Sequence, residues 1–327
     1  MNDSSILVTG GAGYIGSHVV LKLVEAGERV VVLDDLSTGF ADAVIGAELV
    51  VGNCGDTALV ERVLREHRVD TLLHFAARTI VPESVADPLR YYGNNTCATR
   101  NLLAECARAG VGRIVFSSTA AVYGIPAAGR ASEDMPTAPI NPYGSSKLMS
   151  EWMLRDLAAA GGPRYVALRY FNVAGSDPAG RIGEDPRGIP NNLLPYVAQV
   201  AVGKRAKLTV HGGDYPTPDG TGVRDYIHVD DLAQAHLDAL AYLGRGGESA
   251  TFNVGYGHGY SVREVIAAVE RAHGAPIPVV EQPRRAGDPP MLVAEAARIS
   301  GALGWQPRLD DLDAIARTSL AWERRLT

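Results

Sequence analysis

Short apolar runs alternate, along the first half of the chain, with longer segments whose apolar positions recur at helical spacing. The first run, residues 5–9, stops at a glycine-rich segment, residues 10–16. A helical pattern follows over residues 17–26, and a second apolar run, residues 29–33, leads directly into Asp34. This order predicts a strand, a glycine loop, a helix and a second strand that ends in an acid.

The alternation continues as far as residue 170. Strand patterns occupy residues 71–75, 113–116 and 165–169, and helical patterns occupy residues 58–66, 88–109 and 143–160. Parallel strands joined by helices predict an α/β fold with a Rossmann-type, doubly wound parallel sheet. Ligands bind at the carboxyl ends of the strands in such sheets, so the segments that follow the strands are expected to face a ligand. These segments are residues 75–77, 117–119 and 170–172.

The pattern changes after residue 172, where glycine and proline become frequent. We therefore expect a nucleotide-binding domain over residues 1–172 and a smaller C-terminal substrate-binding lobe over residues 173–327. Residues 224–243 combine a strand pattern with a helical pattern and are expected to rejoin the first domain. A last helical pattern, residues 309–325, is expected to pack against the lobe.

The glycines at positions 10, 13 and 16 suit a dinucleotide site. A backbone without side chains turns tightly and can approach a pyrophosphate, whose charge then lies at the amino end of the following helix. Asp34 stands where an acidic residue binds the ribose hydroxyls of NAD. Asp34 and Asp35 would repel the 2′-phosphate of NADP, and no arginine follows immediately to bind it, so the sequence predicts NAD. A glycine-rich surface turn would not explain the acid.

Tyr143 and Lys147 are the candidate catalytic pair. Residues four apart lie on one face of a helix, so the phenol and the ammonium would point into the same space. A free tyrosine has a pKa of about 10. A nearby cation favours the phenolate, so the spacing predicts that Lys147 lowers the pKa of Tyr143 and makes it a proton acceptor. Tyr and Lys at this spacing are more often a solvated helix face, and the rest of the chain has to favour the catalytic interpretation.

The composition does not favour several classes of protein. Of 327 residues, 46% are hydrophobic and 21% are charged, as in ordinary globular proteins. The net charge of −6, without a Lys/Arg-rich run, gives no reason to expect nucleic-acid or anionic-membrane binding. No apolar run reaches the roughly 18 residues that a membrane-spanning helix needs.

The three cysteines, Cys54, Cys97 and Cys106, lack metal-ligand spacing and cannot all pair. They are expected to be buried thiols in a reducing compartment. The amino terminus has no charged-then-apolar signal form. We therefore expect a cytoplasmic protein without a metal site.

Longer motifs add a family resemblance. The loop at residues 9–17 and the Tyr143–Lys147 spacing are similar to those of many extended short-chain dehydrogenases/reductases. The narrower motifs resemble those of the UDP-glucose (UDP-galactose) 4-epimerases, and the resemblance runs from about residue 6 to residue 322. These motifs are Arg-Tyr-Phe-Asn at 169–172, Gly-Glu-Asp-Pro at 183–186, Ile-Pro-Asn-Asn-Leu-Leu-Pro-Tyr at 189–196, Asp-Gly-Thr-Gly-Val-Arg-Asp-Tyr-Ile-His-Val at 219–229 and Arg-Arg-Ala-Gly-Asp at 284–288.

The resemblance implies roles for individual residues. The implied catalytic residues are Tyr143, Lys147 and Thr119. The residues implied to bind NAD are Gly10, Gly13, Tyr14, Ile15, Gly16, Asp34, Asn53, Cys54, Phe75, Ala76, Ala77, Asn94, Tyr143, Lys147 and Tyr170. The residues implied to bind the UDP-hexose substrate are Thr119, Asn172, Asn192, Leu193, Thr209, Arg224, Arg285, Asp288 and Leu292.

The implied reaction is a reversible C4 epimerisation of UDP-glucose and UDP-galactose, as in galactose metabolism. Tyr143 accepts the proton of the sugar 4-hydroxyl while C4 gives hydride to the nicotinamide. Thr119 hydrogen-bonds the same oxygen, and Lys147 binds the nicotinamide ribose. The 4-keto sugar then turns over, so the UDP must be held firmly, with Arg224 and Arg285 on its diphosphate, and the hexose loosely.

Four positions depart from the family pattern. Asn53 replaces an acid that often contacts the adenine, and Arg78-Thr79 stand where many epimerases carry a lysine that helps hold the cofactor. We therefore expect weaker NAD retention than in a typical member. Thr119 replaces a serine and donates the same kind of hydrogen bond. Leu292 replaces a bulky aromatic, which predicts that UDP-N-acetylhexosamines enter the hexose pocket.

Other functions remain open. A UDP-glucuronate-type epimerase or decarboxylase needs a carboxylate site, which the sequence neither identifies nor rules out. A non-catalytic NAD-sensing protein is open because a fold does not determine a function, although such proteins often lack the tyrosine or the lysine. A 4,6-dehydratase is disfavoured because alanines, not an Asp-Glu pair, follow Thr119. The family commonly pairs helices near residues 88–109 and 143–160 between two subunits, which implies a homodimer.

Overall fold

A parallel seven-stranded sheet is the centre of the residues that the computed structural model describes, namely 4–186, 190, 192–284 and 288–326. The strands, in chain order, are β1 (Ser5–Thr9), β2 (Val30–Asp34), β3 (Glu48–Val51), β4 (Val69–His74), β5 (Arg113–Ser117), β6 (Arg130–Ala131), β7 (Arg164–Tyr170), β8 (Asn172–Ala174), β9 (Leu208–His211), β10 (Val223–Arg224), β11 (Tyr226–His228), β12 (Ala250–Val254), β13 (Tyr260–Ser261), β14 (Val279–Gln282) and β15 (Met291–Ala294).

Helices connect these strands. They are α1 (Tyr14–Glu25), α2 (Thr57–Glu66), α3 (Val81–Ala86), α4 (Pro88–Tyr91), α5 (Ala98–Ala109), α6 (Pro142–Ala159), α7 (Leu193–Ala201), α8 (Val229–Gly244), α9 (Val262–His273), α10 (Ala297–Leu303) and α11 (Leu312–Glu323). One π-helical segment, Tyr92–Cys97, joins α4 to α5, and 3-10 turns cover Ala41–Ala43 and Ala120–Tyr123.

The order of the large sheet is β12-β7-β5-β4-β1-β2-β3. From β1 the chain adds strands first towards β3 and then, in the other direction, from β4 to β12. The strand order therefore reverses beside β1, and the crevice at the carboxyl ends of β1 and β4 is the expected ligand site of a doubly wound sheet. The predicted Rossmann-type fold class is confirmed.

Alternate side chains of β1 point to opposite faces of the large sheet. Ile6 and Val8 belong to a core with residues of α1, α8 and α10, whereas Leu7 belongs to a second core with residues of α2, α5 and α6. A strand that buries both faces reads as a continuous apolar run, as residues 5–9 do. Helix α8 packs against α1, β5 and β7, so chain from beyond residue 172 completes the first of the two cores.

The smaller lobe has a core of its own. Its helices α7, α9 and α11 pack together beside the two-stranded sheet of β9 and β14. A four-stranded sheet in the order β13-β10-β15-β6 lies in the same part of the molecule, and β11 pairs with β8. The large sheet gains its outermost strand, β12, from residues beyond 243, which the sequence pattern did not predict.

Two further details differ from the sequence expectations. The helix predicted over residues 88–109 is interrupted by the π segment, in which the side chain of Asn95 binds the backbone N and O of Arg78 at 2.8 and 2.9 Å. Cys54 and Cys106 are buried as expected, but Cys97 is exposed. Within the described residues, no helix combines the length and the apolar character needed to cross a membrane.

Candidate active site

The carboxyl ends of β1, β4 and β5 bring three of the predicted segments together. The backbone N–H groups of Phe75 and Ala76 both donate to Thr9 O, at 2.9 and 3.0 Å, so the residues after β4 lie against the glycine loop after β1. Lys147 Nζ donates to Ser117 O at 2.8 Å and ties α6 to the end of β5. The site is therefore assembled from strand ends and one helix.

The three glycines of the loop have different uses. A Cβ on Gly10 would lie 2.4 Å from Ala76 N, and a Cβ on Gly16 would lie 2.2 Å from Gly10 O. Both positions exclude a side chain because the backbone packs on itself there. A Cβ on Gly13 would meet only Gly10 O, at 3.4 Å, which is an ordinary contact. Gly13 therefore leaves clear space in front of α1.

The amino end of α1 suits an anion. Its first intrahelical bond runs from Ser17 N to Gly13 O at 2.9 Å, so the N–H groups of Tyr14, Ile15 and Gly16 precede the hydrogen-bonded turns. In the described part of the chain, no side chain caps this end and its first turn contains no acidic residue. Backbone donors and the helix dipole therefore remain available for a phosphate.

Asp34 lies at the end of β2, beside the loop. Its carboxylate accepts hydrogen bonds from Ala12 N and Leu36 N, both at 2.9 Å. Burial raises the pKa of this carboxyl above its usual value, whereas the two backbone donors act in the opposite direction. Two fixed donors thus orient an acid next to a phosphate-binding loop, and this set of groups fits NAD.

The other predicted cofactor residues lie around the same edge. Asn53 is exposed and accepts Gly55 N at 2.7 Å, and Asn94 donates to Asn95 at 3.1 Å within the π segment. Burial raises the pKa of the Cys54 thiol to about 11, so this thiol is neutral at physiological pH. The Tyr14 hydroxyl donates to Gly175 O at 2.6 Å and so connects the loop to the smaller lobe.

Two aromatic residues of the predicted cofactor set contact one histidine. The ring of His236 lies 4.7 Å from that of Phe75 and 6.5 Å from that of Tyr170. The Tyr170 hydroxyl also lies 2.8 Å from Ser117 Oγ, and burial raises its pKa far above the usual value. Ala77 follows Ala76 at the end of β4, as predicted.

Arg78 does not take the place of the family lysine in this structure. Its guanidinium lies 3.4 Å from the Glu83 carboxylate, which also pairs with Arg90 at 2.8 Å. Thr79 is exposed and carries no charge. The positive charge of Arg78 is therefore engaged at α3, and weaker NAD retention stays a prediction.

Tyr143 and Thr119 meet at the start of α6. The helix begins where the sequence predicted, since Pro142 occupies its first turn and Asn141 accepts Gly144 N at 2.9 Å as the N-cap. Tyr143 is buried, and the side chain of Thr119 lies close enough to lower its pKa. Two neighbouring hydroxyls give a proton a short path between them.

Lys147 is also buried, one turn along α6. Its ammonium lies 4.9 Å above the ring of Phe116 and makes the bond to Ser117 O. An ammonium has three donors, so this bond leaves donors for a ribose. Burial lowers the pKa of Lys147 to about 7, and Glu151 and Cys54 act in the opposite direction.

The predicted effect of Lys147 on Tyr143 is wrong for the protein by itself. Burial raises the pKa of Tyr143 above its usual value, and the hydrogen bond from Thr119 is the opposing influence. The sequence reasoning placed a full cation beside the phenol without accounting for the desolvation of both groups. Desolvation disfavours the charged form of each, and it is the largest influence on both pKa values.

On the substrate side, short strands bring three predicted residues together. Arg224 and Leu292 are register partners on the parallel strands β10 and β15. Arg224 Nη2 lies 3.3 Å from Asp288 Oδ1, and its Nη1 donates to Val223 O at 2.9 Å. Arginine, acid and leucine therefore line one region, although they are up to 68 positions apart in the sequence.

The remaining predicted substrate residues lie on other elements. Asn172 starts β8, and its backbone N donates to Asp225 O at 2.9 Å, next to Arg224 in sequence. Asn192 caps the start of α7, which begins at Leu193, and its side chain donates to Glu184 Oε1 at 2.8 Å. Thr209 lies on β9, whose strand partner is β14. Arg285 lies outside the described residues.

Several buried polar residues near the site were not assigned a role from the sequence. Glu151 lies four residues after Lys147, and that spacing was a usable signal for a shared helix face. Arg169 was recognised only as part of a motif, and Ser118 only as a neighbour of Thr119. Their mutual contacts cross between elements, so no local pattern could predict them. Among the described residues, no group of three or more His, Cys, Asp or Glu side chains could hold a metal ion.

Comparisons with known proteins agree with this geometry. The model of the NAD dependent epimerase/dehydratase family matches residues 6–255. A UDP-glucose 4-epimerase from Azospirillum brasilense is 55% identical over 322 residues, which cover 98% of this chain and 92% of that protein.

Two solved structures are similar over nearly their whole length. A UDP-glucose-4-epimerase from Stenotrophomonas maltophila, with bound NAD and formylated UDP-arabinopyranose, has a TM-score of 0.95 at 42% identity and covers 99% of this chain and 98% of its own. A UDP-Glc/GlcNAc 4-epimerase from Campylobacter jejuni has a TM-score of 0.86 at 44% identity and covers 98% of this chain and 99% of its own.

Proposed function

Since the chain belongs to the NAD dependent epimerase/dehydratase family, we propose that it catalyses the reversible C4 epimerisation of UDP-glucose and UDP-galactose. The family membership confirms the resemblance predicted from the motifs. The observation that carries the proposal is the buried Tyr143, beside Thr119 and one helical turn from Lys147, at the carboxyl edge of the sheet. Both relatives of known structure described above are named as epimerases of this kind.

NAD fits the residues at this edge. The open amino end of α1 and Gly13 would hold the pyrophosphate, and Asp34 the adenosine ribose. NAD, when bound, supplies the acceptor for the hydride of C4 and returns that hydride. Lys147 would donate to the nicotinamide ribose through the ammonium hydrogens that are not bonded to Ser117 O. Phe75 and Tyr170 would supply apolar surface to the cofactor site.

Tyr143 acts as the base in the proposed reaction. Its phenolate takes the proton of the sugar 4-hydroxyl, and Thr119 donates a hydrogen bond to the same region and relays the proton. Because burial alone raises the pKa of Tyr143, positive charge that reaches the assembled site is needed to favour the phenolate. Return of the proton from Tyr143 to the sugar oxygen completes either epimer.

The substrate-binding division is part of the same proposal. Arg224, with Arg285 outside the described residues, would neutralise the diphosphate, and Asp288 would bind the uridine ribose. Asn172, Asn192, Leu193 and Thr209 would contact the rest of the nucleotide sugar. All of these residues except Asn172 lie after residue 172, whereas Tyr143 and Thr119 come from the sheet domain. A firm grip on UDP and a loose one on the hexose would let the 4-keto sugar turn over.

Leu292 favours a wider range of substrates. It is partly buried against the core cluster that includes Ala120 and Phe171, next to the 3-10 turn that follows Thr119. A leucine there leaves more room than the bulky aromatic of some epimerases, so UDP-N-acetylhexosamines would also enter. The similar Campylobacter jejuni protein is named as an epimerase of both UDP-Glc and UDP-GlcNAc.

We also propose a homodimer in the cytoplasm. Helices α3 and α4 pack on α6, and together they expose Val85, Leu89 and Trp152, which are 63%, 79% and 45% accessible. An apolar surface of this kind, on the helices that the family pairs, supports a subunit contact. The free and exposed Cys97 supports a reducing compartment.

The decisive experiment supplies the purified protein with UDP-galactose and no added nucleotide, and follows UDP-glucose by chromatography. Formation of UDP-glucose supports both the reaction and a retained cofactor. Formation only after NAD is added supports the reaction and the weak retention expected from Thr79 and Asn53. If NAD binds but neither condition yields product, the epimerase proposal is wrong, and UDP-glucuronate and then a sensing role become the candidates.

A further inference from the structure

A buried ion pair lies one helical turn beyond Lys147. Glu151 and Arg169 are only 5% and 7% exposed. Arg169 Nη2 donates to Glu151 Oε2 at 2.5 Å, and Arg169 Nε donates to Oε1 at 2.9 Å, so the pair is bidentate and joins α6 to β7. A buried charge is costly unless it is paired, and this geometry allows both groups to be ionised.

The same pair holds the segment that carries Thr119. Ser118 Oγ donates to Glu151 Oε1 at 2.5 Å, and Ser118 immediately precedes Thr119. At the other end of the segment, Arg169 Nη1 donates to the Tyr123 hydroxyl at 3.0 Å. Tyr123 in turn donates to Asn253 Oδ1 on β12 at 2.6 Å. Both sides of Thr119 are therefore anchored to one buried network.

Glu151 lies four residues after Lys147, on the same face of α6, and its charge acts on the lysine. The other groups around this ammonium are the carbonyl of Ser117, the thiol of Cys54 and the ring of His74. Burial and the charge of Lys147 lower the pKa of His74 to about 3, and burial raises the pKa of Cys54 to about 11, so both are neutral at physiological pH. Of these neighbours, Glu151 is the one that carries negative charge.

We propose that Glu151 and Arg169 are positioning residues for the epimerase reaction: they hold Thr119 beside Tyr143 through Ser118, and Glu151 favours the protonated form of Lys147 from one helical turn away. This inference rests on the proposed roles of Tyr143 and Lys147. Neither Glu151 nor Arg169 is placed in contact with the nucleotide sugar, since their side-chain atoms are engaged with each other, Ser118 and Tyr123. A loss of the pair should therefore change turnover and its pH dependence rather than the Michaelis constant.

The main test replaces both residues, Glu151→Met with Arg169→Met. Removing one partner leaves an unpaired buried charge, whereas replacing both with apolar side chains of similar volume is often neutral for folding. We expect kcat for UDP-galactose to fall at least about tenfold at neutral pH, because Thr119 is no longer fixed. The KM should change by less than about twofold, because the residues proposed to bind the substrate are not changed.

The pH profile separates positioning from a merely structural role. Glu151 favours the charged form of Lys147, so its removal should lower the pKa of Lys147 further. The lysine then loses its proton at a lower pH, and the alkaline limb of kcat should move down by roughly one pH unit. Ser118→Ala, which removes a hydrogen bond but no charge, should lower kcat without moving this limb.

Glu105→Gln is the matched control. Glu105 is a second buried glutamate, 4% exposed, that pairs with Arg108 on α5. Its removal should leave kcat and the pH profile unchanged.

Unfolding provides a readout that does not depend on activity. The folded pKa of Lys147 is about 7, well below the value of an unfolded lysine, so the unfolded chain binds the extra proton above that pH. Stability therefore rises with pH through this range, and Lys147→Met should remove the rise. In the double variant the rise should begin at a lower pH.

Urea midpoints between about pH 6 and pH 9 measure this change, because that interval spans the folded pKa of Lys147. A folded double variant with the wild-type pH profile of kcat and the wild-type unfolding curve would show that the pair is only structural. A wild-type protein without epimerase activity would overturn the proposed function. The unfolding curves would still report whether Glu151 acts on Lys147, so the two failures are distinguishable.

Discussion

At the scale of single residues, burial is the strongest influence on the catalytic chemistry. It raises the pKa of Tyr143 and lowers the pKa of Lys147, so the protein alone disfavours both charged forms. A phenol whose pKa is raised stays protonated at neutral pH and so cannot accept a proton. Positive charge from bound ligands is therefore needed before Tyr143 can act as the proposed base.

Tyr143→Phe removes the proposed base while keeping the ring. We expect kcat to fall by at least about two orders of magnitude, in line with the contribution of a positioned general base. Steady-state kinetics with UDP-galactose measures this change. Tyr165→Phe, which removes a largely buried hydroxyl from β7, should retain turnover. Near-normal kcat in the Tyr143 variant would exclude this residue from the base role.

Leu292→Tyr tests the width of the hexose pocket. The larger ring should reduce turnover of UDP-N-acetylglucosamine at least about tenfold and leave turnover of UDP-galactose within about threefold, since pocket size discriminates by roughly 1–3 kcal/mol. Leu292→Met conserves volume and should keep both activities. Steady-state assays of each variant with UDP-N-acetylglucosamine and with UDP-galactose measure both effects. A wild-type protein that turns over only UDP-galactose contradicts the prediction.

At the scale of elements, the loop between β1 and α1 combines two requirements. Gly10 and Gly16 are needed by the fold, because a Cβ at either position would meet backbone atoms within 2.4 Å. Gly10 also has φ +74, which a side chain disfavours. Neither of these constraints applies to Gly13. Its lack of a side chain instead keeps the space in front of α1 open.

The pair Gly16→Ala and Gly13→Ala separates these requirements. Gly16→Ala should destabilise the protein by about 1–3 kcal/mol, because the loop must shift to accept the methyl group. Gly13→Ala should keep stability within about 0.5 kcal/mol and weaken NAD binding about tenfold, because the methyl group meets the pyrophosphate. Urea unfolding and calorimetric titration with NAD measure the two effects. Unchanged NAD affinity in Gly13→Ala would place the pyrophosphate elsewhere.

At the scale of the whole molecule, the chain crosses more than once between its two parts. Helix α8 and strand β12 come after the first segments of the lobe in the chain. Even so, α8 completes one core of the large sheet, and β12 forms an edge of that sheet. The Tyr14 hydroxyl, bonded to Gly175 O, adds a contact between the cofactor loop and the lobe. The proposed nucleotide-binding and sugar-binding residues are thus held at fixed mutual positions by several independent connections.

Leu89→Glu tests the proposed subunit contact. A charge on the most exposed apolar residue of α4 should shift the protein from dimer to monomer, because it cannot be desolvated in an apolar interface. Light scattering after size exclusion measures the mass. Val279→Glu, on an exposed strand of the lobe, should leave the dimer intact. A monomeric wild-type protein would contradict the homodimer itself.

The sequence by itself determined the fold class, five of the seven strands of the large sheet and the cofactor, whereas strands β3 and β12 were not predicted. Apolar runs, helical periods and the positions of Gly10, Gly13, Gly16 and Asp34 are local signals, and each is set by the geometry of a single element or turn. The start of α6 at Pro142 is another local signal, since Asn141 caps it. The substrate-side residues rested on motif resemblance, not on local physics.

Only the tertiary structure decided which buried groups meet. Strand β12, the Glu151–Arg169 pair and the bond from Ser118 to Glu151 join residues that are distant in the chain or on different elements. The direction of the Tyr143 pKa shift also needed the fold, because desolvation depends on everything packed around a group rather than on the lysine four residues away. Spacing along a helix predicts which side chains are neighbours, and burial decides their charge.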